Sequence, residues 1–262
     1  MPRIVAQGDN LTELNKNYTQ MPLKEPVFLN SVPKCGTHLL RNIMRMFVPV
    51  EQQYHQAFIQ IPILRQHTAA FAKDRPWISW GHLLFSDDSA IALRGVRHLL
   101  LVRDPYDWVL ARARFFLSDT FEGALQHLKG RNVSAEEIMN MMILGIHNKA
   151  PTLQEIYVHN ALGWLGTDTH ILKFEDLLAA VKDLDSESAE KYFSDLLDKC
   201  GLGELPDDWR DRVLTGSDRK QSGTARENLA GPDNEIPEEL PEMQKRLVDT
   251  AAPGLRELLG YG

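Results

Sequence analysis

The segment Pro33-Lys34-Cys35-Gly36-Thr37-His38 combines residue types that can bind an anion. A strand-like apolar run precedes it and a helical pattern follows it, so we expect its backbone N–H groups at a helix start. Such groups attract an anion through hydrogen bonds and the helix dipole. Lys34 adds a positive charge, and Gly36 lets the backbone approach a ligand closely. The alternative is a simple turn with an incidental lysine, because the common phosphate loop G-x-x-x-x-G-K-[ST] is absent from the sequence.

Three further cations could bind a compact anion. Arg103 follows the apolar run His98–Val102, and a guanidinium can bind a phosphate through two parallel hydrogen bonds. The alternative for Arg103 is an ion pair with Asp104 or Asp107, and we favour ligand binding. The pair Arg219-Lys220 stands in a polar segment, where such pairs also occur without a ligand.

His82 is a candidate general base. It stands in Trp80-Gly81-His82-Leu83, inside an aromatic-rich segment from Tyr54 to Phe85. An imidazole suits proton transfer because it titrates near neutral pH. The alternative is a surface or structural histidine, which is the usual role among the nine histidines of this sequence.

The elements that must position these residues alternate between strands and helices. Continuous apolar runs predict buried strands over Val27–Val32, His98–Val102 and His170–Phe174. Apolar residues at helical spacing follow the first strand over 39–47, and a second helix is expected over Tyr106–Phe116. This alternation predicts an α/β fold with a mainly parallel sheet flanked by helices. Ligands of such sheets bind beyond the carboxyl ends of the strands, where the candidate residues stand.

The rest of the chain is assigned more briefly. A capping box at Ser134-Ala-Glu-Glu137 predicts a helix through Ile146. Further helices are expected over 152–165, 187–199 (ending at Gly201) and 238–251. A loop is expected over 215–232. Glu175 and Asp176 are expected to cap the helix that follows the third strand. We expect a single domain over 1–262, in which residues 1–25 form a loosely held N-terminal arm.

The composition restricts the class of protein. The sequence has 262 residues, of which 43% are hydrophobic and 25% charged, as in a globular protein with a sizeable core. No apolar stretch reaches the roughly 18 residues that would span a bilayer, and we see no secretory signal. The formal charge of −7 argues against a nucleic-acid partner, although a few focused cations can hold an anion. The sequence has two cysteines, Cys35 and Cys200, which are far apart and predict a cytoplasmic protein without disulfides. It has no metal-binding motif, so we expect no metal site.

Five short motifs follow one another along the chain. They are Ser31–His38 (SVPKCGTH), Gly81–Leu83 (GHL), Val102–Asp107 (VRDPYD), Lys173–Leu177 (KFEDL) and Asp218–Gly223 (DRKQSG). Together they resemble, in this order, the 5′-phosphosulfate loop, the catalytic His-Leu, the 3′-phosphate motif, the YEDL strand end and the late Arg-Lys-Gly loop of sulfotransferases. Members of that family transfer a sulfuryl group from 3′-phosphoadenosine 5′-phosphosulfate (PAPS) to an acceptor. The resemblance covers about residues 27 to 230.

The resemblance implies a P-loop-like sulfotransferase fold and transfer to an acceptor hydroxyl or amine, with adenosine 3′,5′-bisphosphate (PAP) as product. Lys34 would stabilise the leaving phosphate, and His82 would take the acceptor's proton, with His38 or His98 next in line. The residues implied in PAPS binding are Lys34, Cys35, Gly36, Thr37, His38, Arg103, Arg219 and Lys220. The acceptor is expected to be a small molecule that lies against the aromatic segment 54–85. The Cys35 thiol is expected to be unusually reactive but not catalytic.

The sequence departs from the family pattern at several positions. Leu39 stands where the family has a tryptophan that stacks on adenine, and Ala111 where it has a serine that binds the 3′-phosphate. Arg112 or Arg114 could replace that serine. Two alternatives therefore remain open, namely a non-catalytic member that binds PAP and a P-loop-like kinase. The kinase would need a complete GK[ST] loop and a carboxylate for magnesium, and we find neither.

Overall fold

The computed structural model describes residues 3–4, 8–118, 121–122, 133–223 and 236–262. The strands are β1 Arg3–Ile4, β2 Val27–Ser31, β3 Ile78–Gly81, β4 Arg97–Val102, β5 Phe121–Glu122 and β6 His170–Lys173. The helices are α1 Leu11–Asn15, α2 Thr37–Arg45, α3 Asp87–Ala92, α4 Pro105–Leu117, α5 Ala135–Leu144, α6 Leu153–Asn160, α7 Phe174–Lys182, α8 Glu187–Lys199, α9 Trp209–Ser217, α10 Glu242–Ala251 and α11 Leu255–Leu258. A parallel sheet has the order β3-β2-β4-β6, which confirms the predicted α/β fold. The short strands β1 and β5 pair antiparallel.

The two central strands are the ones that the apolar runs predict. Every residue of β2 is buried, and β4 is buried from His98 to Val102, because helices cover both faces of the sheet. The sequence predicts that the third strand, β6, is buried on both faces, and this prediction is wrong. Only Leu172 of β6 is buried, since this strand lies at the sheet edge, and Phe174 begins α7 instead of ending the strand.

The opposite edge strand, β3, is absent from the sequence prediction. It has four residues, Ile-Ser-Trp-Gly, which are too few to give a clear period. The chain before it runs alongside it, with bridges from Gln53 to Ile78 and from Ile59 to Gly81. The backbones approach so closely that a Cβ at Gly81 would lie 2.0 Å from the Ile59 carbonyl oxygen, so only glycine fits there.

The register brings the motifs to one edge of the sheet. Asn30 pairs with Gly81, Ser31 with Leu101, and Val102 with Lys173. The four parallel strands therefore end at nearly the same level, and the loop after each one carries a motif. This is the edge at which α/β proteins bind their ligands.

Most of the remaining helices lie where the sequence places them. The capping box is present, with Ser134 Oγ accepting from the Glu137 N–H (3.2 Å) and the Glu137 carboxylate accepting from the Ser134 N–H (2.8 Å), although α5 ends at Leu144. The predicted loop over 215–232 begins too early, because α9 continues to Ser217. A Cβ at Gly216 would lie 2.5 Å from Ile43 Cα, so α9 and α2 are in close contact. Residues 224–232 of that loop lie outside the described residues.

Residues 8–25 are packed, in contrast to the loosely held arm that their polar composition predicts. Leu11 on α1 is fully buried. Asn15 donates to the carbonyl oxygens of Arg45 (2.6 Å) and Val48 (3.1 Å), and Asp9 forms an ion pair with Arg45 (2.9 Å). Polar contacts thus attach the segment to the end of α2. None of the helices in the described ranges is long and apolar enough to cross a membrane.

Candidate active site

The loop between β2 and α2 has the shape of an anion-binding turn. Lys34 has φ 69° and Gly36 φ 91°, so two residues in the left-handed region fold the chain back into the helix. Gly36 is the N-cap and offers no side-chain hydrogen bond to the first turn of α2. The N–H groups of that turn are therefore not capped by a side chain, and they can bind an anion.

Two aromatic side chains fix this loop from outside the motif. Trp108 Nε1 on α4 donates to the Pro33 carbonyl oxygen at 2.6 Å. A Cβ at Gly36 would lie 2.4 Å from Phe174 Cδ2, so the ring of Phe174 packs directly on the glycine. The requirement for glycine thus comes from the first residue of α7, directly after β6, which the sequence of the loop does not reveal.

Lys34 and Cys35 differ in how they can contribute. Lys34 is half-buried, and its Nζ lies 3.8 Å from the ring centroid of Phe115 on α4. Cys35 is fully buried, and burial raises the pKa of its thiol. The prediction that this thiol is unusually reactive is therefore wrong, because the loss of solvation outweighs the effect of the nearby positive charge of Arg103. Cys35 can contribute to the site through its backbone only.

Arg103 follows β4, and its guanidinium packs against an aromatic ring. The charge lies 4.5 Å from the centroid of the Phe174 ring, and Nε is buried without a hydrogen-bond partner in the described part of the chain. Asp104 does not pair with Arg103, since both of its oxygens accept from Arg256 (3.1 and 2.9 Å). A buried donor without a partner is costly, and a phosphate oxygen would satisfy it.

The end of the chain holds the Arg103 loop in place. Arg256 pairs with Asp104, and Glu175 accepts from the Asp104 N–H at 3.0 Å. Tyr261 donates to Glu175 at 2.7 Å, and Lys173 donates to the Gly260 carbonyl oxygen at 2.6 Å. Glu175, expected only as a helix cap, therefore positions the 3′-phosphate motif together with C-terminal residues. No local pattern points to these contacts, because their partners lie 71 to 152 positions apart.

His82 follows β3 and points to β2. Its Nδ1 lies 2.9 Å from the Ser31 carbonyl oxygen and 3.1 Å from Ser31 Oγ, which in turn lies 2.6 Å from Thr37 Oγ1. A carbonyl oxygen only accepts, so the neutral ring carries its proton on Nδ1 and a lone pair on Nε2. Burial lowers the pKa of His82 to about 4, with a smaller effect in the same direction from Lys34. At neutral pH the ring can therefore accept a proton.

His38 and His98 have different surroundings. His38, in the first turn of α2, is half-buried, and burial followed by the charges of Arg41 and Lys34 lowers its pKa to about 4. His98 is the second residue of β4. At a rise of about 3.3 Å per residue, it lies about 13 Å from the end of the strand that carries the motif. Its Nδ1 lies 2.8 Å from Thr169 Oγ1. His98 is therefore too distant to replace His82 as the base.

The late cationic pair lies on a short turn beside α2. Arg219 and Lys220 are exposed on a 3₁₀ turn over Arg219–Gln221. Asn42 on α2 donates to the Gln221 carbonyl oxygen at 3.1 Å, which attaches the turn to the helix that begins at the loop. The residues that follow, 224–235, lie outside the described residues.

The two arginines considered as replacements for the missing serine have structural roles. Arg112 is buried and donates to the carbonyl oxygens of Met142 (2.9 Å) and Pro151 (3.0 Å). Arg114 donates to the Pro237 carbonyl oxygen at 2.6 Å. Arg112 is therefore held inside the protein, with two of its N–H groups on backbone carbonyl oxygens.

Three histidine rings with lowered pKa values predict that acid destabilises this protein. The pKa values of His38 and His82 are lowered to about 4, and that of His98 to about 3, in each case mainly by burial. Below the ordinary value of about 6.5 the unfolded chain binds protons that the folded chain does not, so stability falls as the pH falls. Each ring contributes at most about 1.4 kcal/mol per pH unit.

Urea unfolding at pH 7, 6 and 5 measures this dependence. The variant His98→Gln should show a shallower pH dependence than the wild type, whereas His159→Gln, at an exposed position, should not. A pH dependence that His98→Gln leaves unchanged would contradict the assignment of His98 as a neutral buried ring.

The described fold is that of the sulfotransferases. Mouse sulfotransferase SULT7A1 complexed with PAP is similar to this chain with a TM-score of 0.54 and 10% identity, over 90% of this chain and 84% of that one. Retinol dehydratase in complex with androsterone and inactive cofactor PAP gives a TM-score of 0.47 and 14% identity, over 92% and 82%. No family model and no curated protein matches the sequence. The likeness to SULT7A1 confirms the predicted fold.

Proposed function

We propose that this protein transfers a sulfuryl group from PAPS to an acceptor hydroxyl or amine. The observation that carries the proposal is the meeting of three groups at the carboxyl ends of adjacent strands. These are the start of α2 beside Lys34, the buried Nε of Arg103, and the ring of His82. Among the residues that the structure describes, the helix start has no side-chain cap, Arg103 Nε has no hydrogen-bond partner, and the His82 lone pair on Nε2 is free. The fold shared with SULT7A1, a sulfotransferase complexed with PAP, supports the same function.

The residues fit a donor with an anion at each end. The N–H groups of Gly36, Thr37 and His38 and the charge of Lys34 would hold the 5′-phosphosulfate. The unpartnered Arg103 Nε would satisfy an oxygen of the 3′-phosphate, with Arg219 and Lys220 as further cations. These few charges allow a protein with a net charge of −7 to bind a polyanion.

The proposed mechanism assigns one task to each group. When bound, PAPS supplies the sulfuryl group: its sulfur bonds to the acceptor oxygen while the bond from sulfur to the 5′-phosphate breaks and leaves its electron pair on the phosphate oxygen. His82 Nε2 takes the proton of the acceptor and later releases it to solvent. Lys34 and the N–H groups of the loop stabilise the charge that develops on the leaving oxygen. The Ser31 carbonyl oxygen keeps the His82 ring in the required tautomer.

Arg103→Ala should weaken the binding of PAP by about 10- to 100-fold and leave the binding of adenosine 5′-phosphate nearly unchanged, because the variant loses a charged hydrogen bond to a group that only PAP carries. Titration calorimetry with both ligands measures the difference. Arg97→Ala is a matched control, since Arg97 lies at the other end of β4 and pairs with Glu25 (2.6 Å). Equal losses for both ligands would show that Arg103 is structural.

Two further measurements test the function itself. PAP should raise the melting temperature more than ATP does, and the reverse order would favour the kinase. Transfer of labelled sulfate from PAPS to acceptors in a screen should be detectable. Binding of PAP without transfer to any acceptor would instead favour a non-catalytic PAP-binding protein.

A further inference from the structure

A cation outside the donor site lies beside the candidate base. Arg41 is on α2, four residues after Thr37 and three after His38, so it is on the same side of the helix as these residues. Its guanidinium carbon lies 4.5 Å from the centroid of the Trp80 ring. Trp80 lies on β3, and His82 directly follows that strand. After the larger effect of burial, the charges of Arg41 and His82 both lower the pKa of His38, so Arg41 and His82 lie near the same residue.

The charge of Arg41 is incompletely compensated by the protein. Its carboxylate partner in the described residues is Asp9, at 3.8 Å from Nη2, which is beyond hydrogen-bond distance. Asp9 directs both oxygens to Arg45 instead, at 3.0 and 2.9 Å. Arg41 Nε is buried and has no hydrogen-bond partner among the described residues, and 18% of the side chain remains exposed. A half-buried guanidinium with one distant partner is prepared to bind a second anion.

The surroundings of Arg41 favour an anion that also has an apolar surface. Lys34 and Arg41 both act on His38, where they lower its pKa, so the potential at this point is positive. Trp80 is buried beneath the guanidinium, whereas Phe58 is half-buried and supplies aromatic surface. The Phe58 ring centroid lies 4.7 Å from that of His82. The groups proposed to hold PAPS do not include Arg41. Its charge is therefore available to a different ligand.

We propose that Arg41 binds a carboxylate on the acceptor, so that the protein acts on acidic alcohols whose apolar part packs against Phe58. This inference rests on the proposed function and specifies its acceptor class. Arg41 would form charge-assisted hydrogen bonds to the carboxylate, while the hydroxyl of the same molecule reaches His82. A neutral acceptor of the same shape would bind more weakly, because it would leave the guanidinium without a partner.

Matched acceptor pairs test the proposal. A panel of phenols and sugar alcohols is prepared in acidic and neutral forms; one pair is 3-(4-hydroxyphenyl)propionate and 4-propylphenol, which differ by a carboxylate in place of a methyl group. The acidic members should bind PAP-saturated wild-type protein about 10- to 100-fold more tightly in calorimetry, and Arg41→Gln should remove that preference. Affinity for the neutral members should not change. Labelled-sulfate transfer should show the same preference in kcat/KM.

Two variants separate recognition from folding. Arg210→Gln is a matched control, because Arg210 also lies over a tryptophan (Trp209, 4.5 Å) and has long ion pairs (3.5 and 3.4 Å), but on α9. It should keep the acid preference. Asp9→Asn removes the distant partner of Arg41 and should keep or strengthen acid binding. If Arg41 only anchors the N-terminal segment through Asp9, Asp9→Asn would instead lose acid binding as Arg41→Gln does.

The outcomes distinguish this inference from the proposed function. Equal affinity for acidic and neutral members, no binding of any acidic member, or unchanged acid binding in Arg41→Gln would each overturn the role of Arg41. Transfer to acidic acceptors with the same kcat/KM in the wild type and in Arg41→Gln would also do so, while the proposed function stands. Acid binding through Arg41 without any sulfate transfer would support the carboxylate site and contradict the proposed function.

Discussion

Lys34→Ala should lower kcat by about 100- to 1000-fold, the usual effect of removing a group that stabilises charge in the transition state. Lys34 is the first of the two left-handed residues of the loop, where its charge would act on the leaving phosphate oxygen. That charge develops as the bond to sulfur breaks, so the loss should fall mainly on turnover and less on substrate binding. Initial rates of labelled-sulfate transfer measure it.

The fold of Lys34→Ala should remain nearly intact. The variant loses the contact of Nζ with the Phe115 ring (3.8 Å), an interaction worth about 0.5–1 kcal/mol. Urea unfolding of the variant gives this value directly. Lys182→Ala, at an exposed lysine in the last turn of α7, is the matched control and should change neither rate nor stability. A near-wild-type rate for Lys34→Ala would remove the loop from the mechanism.

His82→Ala should lower turnover by roughly two to four orders of magnitude and leave the affinity for PAP nearly unchanged, because a positioned base acts on the acceptor. His82→Asn should be about as inactive, since an amide cannot take the proton. Calorimetry with PAP and transfer assays on a confirmed acceptor separate the two effects. Added imidazole should partly restore the alanine variant.

The pH profile of the wild-type enzyme gives a second test of His82. Its pKa of about 4 means that the ring is neutral at pH 7, so turnover should fall only as the pH approaches 4 and the lone pair binds a proton. Circular dichroism confirms that the protein is folded at each pH used. His159→Ala, at an exposed histidine, should keep full activity. Full activity in His82→Ala with loss in His38→Asn would transfer the role of base to His38.

The sequence predicts those parts of the site that depend on local signals. The apolar run before Pro33, the glycine at the N-cap and the helical spacing after it define the loop of Lys34 within one continuous segment. The same holds for Arg103, which directly follows the buried strand β4. Parallel strands that end at a common level then bring these segments together, as the register of Ser31 with Leu101 shows.

The remaining features depend on contacts between distant segments, and no local pattern encodes them. Phe174 makes glycine obligatory at position 36, and Arg256 occupies the carboxylate that was an expected partner of Arg103. Burial reverses the expected reactivity of Cys35, because the sequence shows the positive charges near the thiol but not the loss of solvent. Strand β3 is too short for its period to be visible.

The strand order β3-β2-β4-β6 bears on how such an enzyme could diversify. Lys34 and Arg103, which are proposed to hold the donor, follow the two interior strands, where ladders on both sides and the C-terminal contacts leave little freedom for change. Trp80 lies on the edge strand β3, and His82 directly follows it. The irregular segment around Ile59 runs beside this strand. Insertions or exchanges in that segment would reshape the acceptor side and leave the ladder between β2 and β4 intact. A descendant could thus acquire a new substrate while it inherits the sulfate donor unchanged.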